Sequence, residues 1–156
     1  MSTSYQCESD EGPTGLAISG PFARVVLERL DTVVPRRRVR MLVDTGAQIT
    51  HVCRDVLELM EIPSTGRRVP VASPNTEPHW EPVYQVGVWL MVEPKPVRVD
   101  PLVVPMARES SSCDGVLGRD FLRHFQLFYD GVAGTAELRS VGDSLSFDDL
   151  LGRDPQ

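Results

Sequence analysis

Long apolar runs are missing from this sequence. Nowhere in its 156 residues is there an uninterrupted stretch of the ~18 apolar residues that a membrane-spanning helix needs. The start, "MSTSYQCESDEGPTG", has neither a basic opening nor an apolar stretch, so it is not expected to be a secretory signal peptide. Cysteine is sparse: Cys7, Cys53 and Cys113 are an odd number without framework spacing, so free thiols in a reducing, cytoplasmic compartment are expected. Excess positive charge is also lacking. The formal net charge is −6, which argues against nucleic acid as the main partner, because phosphate binding needs a concentrated basic surface. The one basic cluster, Arg36-Arg37-Arg38 with Arg40, reads as a solvated hairpin after Pro35.

Several chemical signatures are absent too. There is no G-x-S-x-G, phosphate-binding loop or dinucleotide fingerprint. His51, His79 and His124 have no ligand spacing with one another, so no metal is expected. The cysteines form no Cys/His/Asn pattern, and Cys53 and Cys113 read as plain thiols.

What remains is a hydrophobic fraction of 41%, enough for one real core, and short runs of Val, Ile and Leu punctuated by turn residues. Thirteen prolines suit a loop-rich β protein and would break a helix bundle. Strands are expected at about 15–19, 22–31, 37–44, 68–73, 83–92, 96–105, 125–130 and 135–139. Only "CRDVLELM" and "GRDFLRHF" have internal helical spacing, the first stopped by Pro63. Residues 1–14 read as a disordered segment, 15–139 as one domain, and 140–156 as a tail. Trp80, Trp89 and the Phe121–Phe128 cluster read as core, and Ser110-Ser111-Ser112 as a flexible loop.

Two stretches carry the chemistry. In "RVRMLVDTGAQIT" an apolar run, Met41-Leu42-Val43, delivers a carboxylate, Asp44, straight into a Thr-Gly turn. Asp is depleted in strands, so this placement marks either a tight turn or a charge held by a rigid scaffold. Some seventy residues on, Gly115-Val116-Leu117-Gly118 runs directly into Arg119-Asp120-Phe121-Leu122, with Asp120 near a helix start where a carboxylate is favourable.

In this order and spacing the two stretches, V-D-T-G-A and V-L-G-R-D-F-L, resemble the retropepsins, the retrovirus-type (clan AA) aspartic proteases, over roughly residues 15–139. The resemblance implies an all-β fold, a retropepsin-like closed β-barrel or sandwich with one or two short helices, whose single lobe dimerises. It implies an aspartic endopeptidase in which Asp44 of each chain joins a shared dyad, for the sequence has one D-T-G and no second D-[ST]-G. Thr45 would reach across the twofold axis, Gly46 would bring its amide to the carboxylate, and Ala47 would leave room for substrate main chain. Val116 and Leu117 would pack beneath that loop and Gly118 would allow close approach, with Arg119 and Asp120 as structural support. A hairpin flap is implied between about Val69 and Val86, with Ala72, Ser73, Pro74, Asn75 and Thr76 at its tip. The substrate would be an extended polypeptide; no cofactor, nucleic acid or membrane partner is implied.

The sequence departs from the viral pattern twice. The flap region has no Gly and carries Pro74, Pro78 and Pro82. Gln48 replaces the Asp that the equivalent of Arg119 commonly braces, so the dimer is expected to be weaker or to be braced elsewhere, with Asp120 or Asp55 as candidates. Two other readings stay open: a non-catalytic module of the same fold that binds peptides or dimerises, and an enzyme that mainly trims its own termini.

Overall fold

The computed structural model describes residues 3–10, 12–32, 35–92 and 95–140. The tail expected at 140–156 lies outside the described residues beyond Ser140. The strands are β1 (Thr3–Gln6), β2 (Phe22–Glu28), β3 (Arg36–Val43), β4 (Thr50–Cys53), β5 (Ser64–Ser73), β6 (Thr76–Gln85), β7 (Gly87–Leu90), β8 (Val97–Val99), β9 (Leu102–Met106), β10 (Gly115–Leu117), β11 (Phe125–Asp130) and β12 (Thr135–Ser140). The helices are α1 (Gly12–Ser19), α2 (Arg54–Leu59) and α3 (Arg119–Leu122). The all-β class is as expected, and no helix among the described residues is long and apolar enough to cross a membrane.

Nine strands form one sheet in the order β5-β6-β9-β4-β10-β3-β2-β7-β8, and a second, antiparallel sheet runs β1-β12-β11. Strict alternation drives the central strands. On β3, Val39, Met41 and Val43 are buried while the residues between them are not, the period of two that one apolar face demands. These side chains share a core with Val25 and Leu27 of β2, Val52 of β4, Leu117 of β10, Phe121 of α3 and Leu138 of β12. Each fully buried side chain of this size stabilises the fold by roughly 1.5–3 kcal/mol.

Several local expectations need correction. Residues 15–19 are helical, inside α1, so there are three helices among the described residues. Pro13 falls in the first turn, where a missing N–H costs nothing. Gly20, at φ 82°, ends the helix with its amide on Leu16 O at 3.1 Å, an αL cap that Gly adopts without strain. Residues 3–6, expected to be disordered, pair with β12, and Glu8 bridges to Phe22. The run at 83–92 divides at Val86 into β6 and β7, and the run at 96–105 divides at Asp100-Pro101 into β8 and β9. Pro cannot donate to a ladder, which accounts for the second break. Trp80 is 61% and Phe128 44% exposed, so neither is core; Trp89 is half-buried.

Candidate active site

The loop after β3 is held from beneath by β10. These two strands run parallel, with Gly115, Val116 and Leu117 opposite Met41, Leu42 and Val43. On its other side β10 pairs antiparallel with β4, Val116 lying opposite His51. The Asp44 amide continues the ladder by donating to Leu117 O at 3.1 Å, and Val43 N donates to Pro21 O at 2.8 Å. Asp44 therefore leaves the sheet from a backbone fixed on two sides. Its carboxylate accepts the Gly46 amide at 2.8 Å, and the Ala47 amide donates to Asp44 O at 3.3 Å, closing a tight turn. Asp44 and Ala47 are half-buried, whereas Thr45 and Gly46 are exposed in the single chain.

Gly115 and Gly118 are required by proximity and not by torsion. A Cβ on Gly118 would lie 2.6 Å from Ile49 C and 2.7 Å from Ile49 O, and one on Gly115 would fall on His51 O. Gly118 has extended backbone at φ −86°, so any residue could take its conformation but none its space.

Arg119 and Asp120 bind the loop in different ways. The Arg119 amide donates to Ala47 O at 2.9 Å, and its Nη1 donates to Thr45 O at 2.9 Å and Gly46 O at 3.4 Å. The arginine thus braces backbone carbonyls of the Asp-Thr-Gly loop, which accounts for tolerance of Gln48. Neither carboxylate considered as its partner takes that role: Asp55 pairs with Arg108 at 2.8 Å, and Asp120 turns toward Thr50. Asp120 accepts Thr50 Oγ1 at 2.7 Å, Thr50 N at 3.1 Å and Phe121 N at 2.8 Å. The Thr50 hydroxyl in turn accepts the Gly118 amide at 3.1 Å. Thr50 is fully buried and ties the two motifs together. The sequence does not single it out, because a Thr opening the short Thr-His-Val-Cys strand carries no signal beyond strand propensity.

Ala72, Ser73, Pro74, Asn75 and Thr76 lie together at the tip of the β5–β6 hairpin, all exposed. Ser73 pairs with Thr76 around a two-residue Pro74-Asn75 turn, and their hydroxyls are 2.8 Å apart. No hydrogen bond or ion pair among the described residues joins this tip to the Asp44 loop. The hairpin is anchored at its base instead, where Tyr84 and Gln85 pair with Val103 and Leu102 and where Arg54 of α2 meets Glu81 at 3.4 Å. Among the described residues no three His, Cys, Asp or Glu side chains are grouped so as to hold a metal ion.

Chemically, the loop presents one carboxylate on a rigid strand end, oriented by a backbone amide and open on the side of Thr45 and Gly46. One such group can act as an acid or a base, and two facing copies could share a proton.

No protein-family model and no curated protein sequence matches the chain. Among solved structures it is similar to a retropepsin-like aspartic protease from Rickettsia conorii, with a TM-score of 0.56 and 14% identity over 90% of this chain and 92% of that one. It is also similar to an aspartic proteinase from Irpex lacteus, with a TM-score of 0.53 and 12% identity, over 91% of this chain but only 47% of that longer one.

Proposed function

We propose that this chain, which has the retropepsin-like fold, is an aspartic endopeptidase assembled from two copies, each supplying one Asp44. The observation that carries the proposal is the Asp44 loop itself. A carboxylate stands at the end of a core strand, its amide on Leu117 O and its oxygen on the Gly46 amide. A binding surface has no need of a charge held this way.

In the shared site two carboxylates about 3 Å apart could not both ionise, so the pair would hold one proton. The ionised member takes a proton from a water as that water attacks the peptide carbonyl, and the protonated member gives its proton toward the carbonyl oxygen. Both roles reverse as the tetrahedral intermediate collapses, with no covalent bond to the enzyme. Thr45 and Gly46, exposed in the single chain, become the surface that faces the partner copy and the substrate. Val116 to Asp120 hold the loop, and the tip from Ala72 to Thr76 closes over an extended peptide as the flap. The match to 47% of a longer aspartic proteinase supports two copies over one. The working unit includes β1, because that strand completes the sheet of β11 and β12.

Cleavage of a mixed peptide library between about pH 4 and 7, read by mass spectrometry, tests the proposal with wild type beside Asp44→Ala. Cuts made by wild type alone are expected. Binding of peptides without cutting, unchanged in Asp44→Ala, would identify a non-catalytic module, and cuts confined to the protein's own termini would identify a self-processing enzyme.

A further inference from the structure

β3 carries Arg36, Arg37, Arg38 and Arg40 in a chain whose net charge is −6. Three of these arginines occupy alternate positions and so share the face opposite Val39 and Met41. Their surroundings differ. Arg40 is held by Asp10 at 2.6 Å and Glu8 at 3.4 Å, and Arg36 by Glu28 at 3.4 Å. Arg38, exposed, has no ion pair or side-chain hydrogen bond among the described residues.

Strand register shows what lies beside that unpaired cation. Arg38 is opposite Val26, Val26 opposite Trp89, and Trp89 opposite Arg98, a row across β3, β2, β7 and β8. A cavity of about 430 Å³ opens on this row, lined by Val26, Arg36, Arg38, Trp89, Met91 and Pro96. Its floor is apolar and presented to solvent, with Met91 52% exposed. The Trp89 ring is fixed in place, its Nε1 donating to Glu28 at 2.5 Å and the Arg98 guanidinium lying 5.5 Å from its centroid. β8 ends the nine-stranded sheet. Arg38 lies six residues before Asp44, about 20 Å along an extended strand, so this surface is separate from the catalytic loop.

An unpaired guanidinium beside a rigid aromatic floor selects a ligand that carries an anion next to an apolar group. We infer that this face docks an acidic peptide segment of a partner protein, with a carboxylate on Arg38 and a large apolar side chain over Trp89 and Met91. A nucleic acid fits less well. Glu28 and Asp100 already neutralise Arg36 and Arg98, leaving Arg38 as a site for one carboxylate and too little positive charge for a run of phosphates. The inference does not depend on catalysis by Asp44.

The test uses the full chain with Trp80→Phe, which leaves Trp89 as the single tryptophan, and with Asp44→Asn to prevent cutting. The probes are a hexapeptide alternating Glu with Phe and Leu, its Gln counterpart, and an oligothymidylate. Saturable change in Trp89 emission is expected with the Glu peptide. Affinity should fall roughly tenfold or more with the Gln peptide and in Arg38→Gln, the scale of one lost charge-assisted bond, and should weaken as salt rises. Met91→Glu should abolish binding. Both substitutions are at exposed positions, and unchanged thermal melting confirms that the fold is kept. The inference is overturned by absence of saturable binding, by undiminished binding in Arg38→Gln and Met91→Glu, or by tighter binding of the oligothymidylate than of the Glu peptide.

Discussion

Thr50 ties the strand after the Asp44 loop to Gly118 and Asp120. Its hydroxyl, fully buried, donates to Asp120 and accepts from the Gly118 amide, so one oxygen satisfies a buried N–H and holds a carboxylate in place. Thr50→Val keeps the shape but orphans that amide, which costs about 2 kcal/mol. For a chain of this length, a fall in Tm of about 4–8 °C should follow. Thr50→Ser should recover most of it, and a thermal melt of the three proteins checks both statements; equal melting of Val and Thr forms would mean that the hydroxyl holds nothing. Gly118→Ala acts by another route. Its Cβ would press on Ile49 C at 2.6 Å, with backbone on both sides of the contact, so one segment must shift at a cost of about 1–3 kcal/mol or more. Because Ile49 and Thr50 follow the Asp44 loop closely, loss of the proposed peptide cleavage should exceed the loss of stability; activity at a temperature well below the variant's melt separates the two.

The strands and helices show where pattern suffices and where it does not. β2, β3, β11 and β12 are legible because alternation or flanking turns mark them, as are α2 and α3 through their spacing. The hairpin tip at Pro74-Asn75 lies where the family resemblance implies a flap tip. Gly-Leu-Ala-Ile-Ser is not, since a short apolar run fits helix and strand equally, and the Pro13 and Gly20 boundaries decide it. β1 escapes because Thr-Ser-Tyr-Gln offers only Tyr5 to the core; it forms by pairing its backbone with β12, a contact 130 residues away in sequence, as in the Gln6 bond to Ala136 O. The Asp44, Gly115 and Gly118 positions are legible as a motif, whereas the bonds that make them rigid depend on Thr50 and Pro21, which no spacing singles out. One clamp between elements is testable on its own. Arg108 binds Asp55 of α2 at 2.8 Å and Asp114 at 2.9 Å, pinning the Ser110–Ser112 loop to the helix. This pair holds the Asp55 carboxyl below its usual range, chiefly through the hydrogen bond from Arg108. A depressed carboxylate stabilises the fold above its unfolded pKa, near 3.9, and that contribution is lost as pH falls through the lower folded value. Asp55→Asn should therefore speed amide exchange in residues 107–114 at pH 7, and the difference from wild type should shrink below about pH 4. Equal exchange at neutral pH would show that the loop is held by something else.

Assembly decides whether these parts make an enzyme. One chain offers one Asp44, and Thr45 and Gly46 are left exposed beside it. If the dyad forms across two copies, peptide cleavage should rise with nearly the square of protein concentration until dimers saturate. Mixing gives a sharper result, because it does not depend on knowing the dimer affinity. Asp44→Asn changes one oxygen to a nitrogen at a half-exposed position and should fold and associate like wild type. With wild type held constant and saturated as dimer, a ninefold excess of Asp44→Asn leaves about one wild-type chain in ten paired with another wild-type chain, so activity should drop to about a tenth. An enzyme working as a single chain would lose nothing. A heterodimer that cuts at half rate would mean that one Asp44 suffices and that the second copy serves only to close the cleft. Equilibration time matters in the same experiment: activity should decay toward its new value at the rate at which dimers exchange subunits, and an immediate drop to about a tenth would indicate exchange faster than the assay resolves.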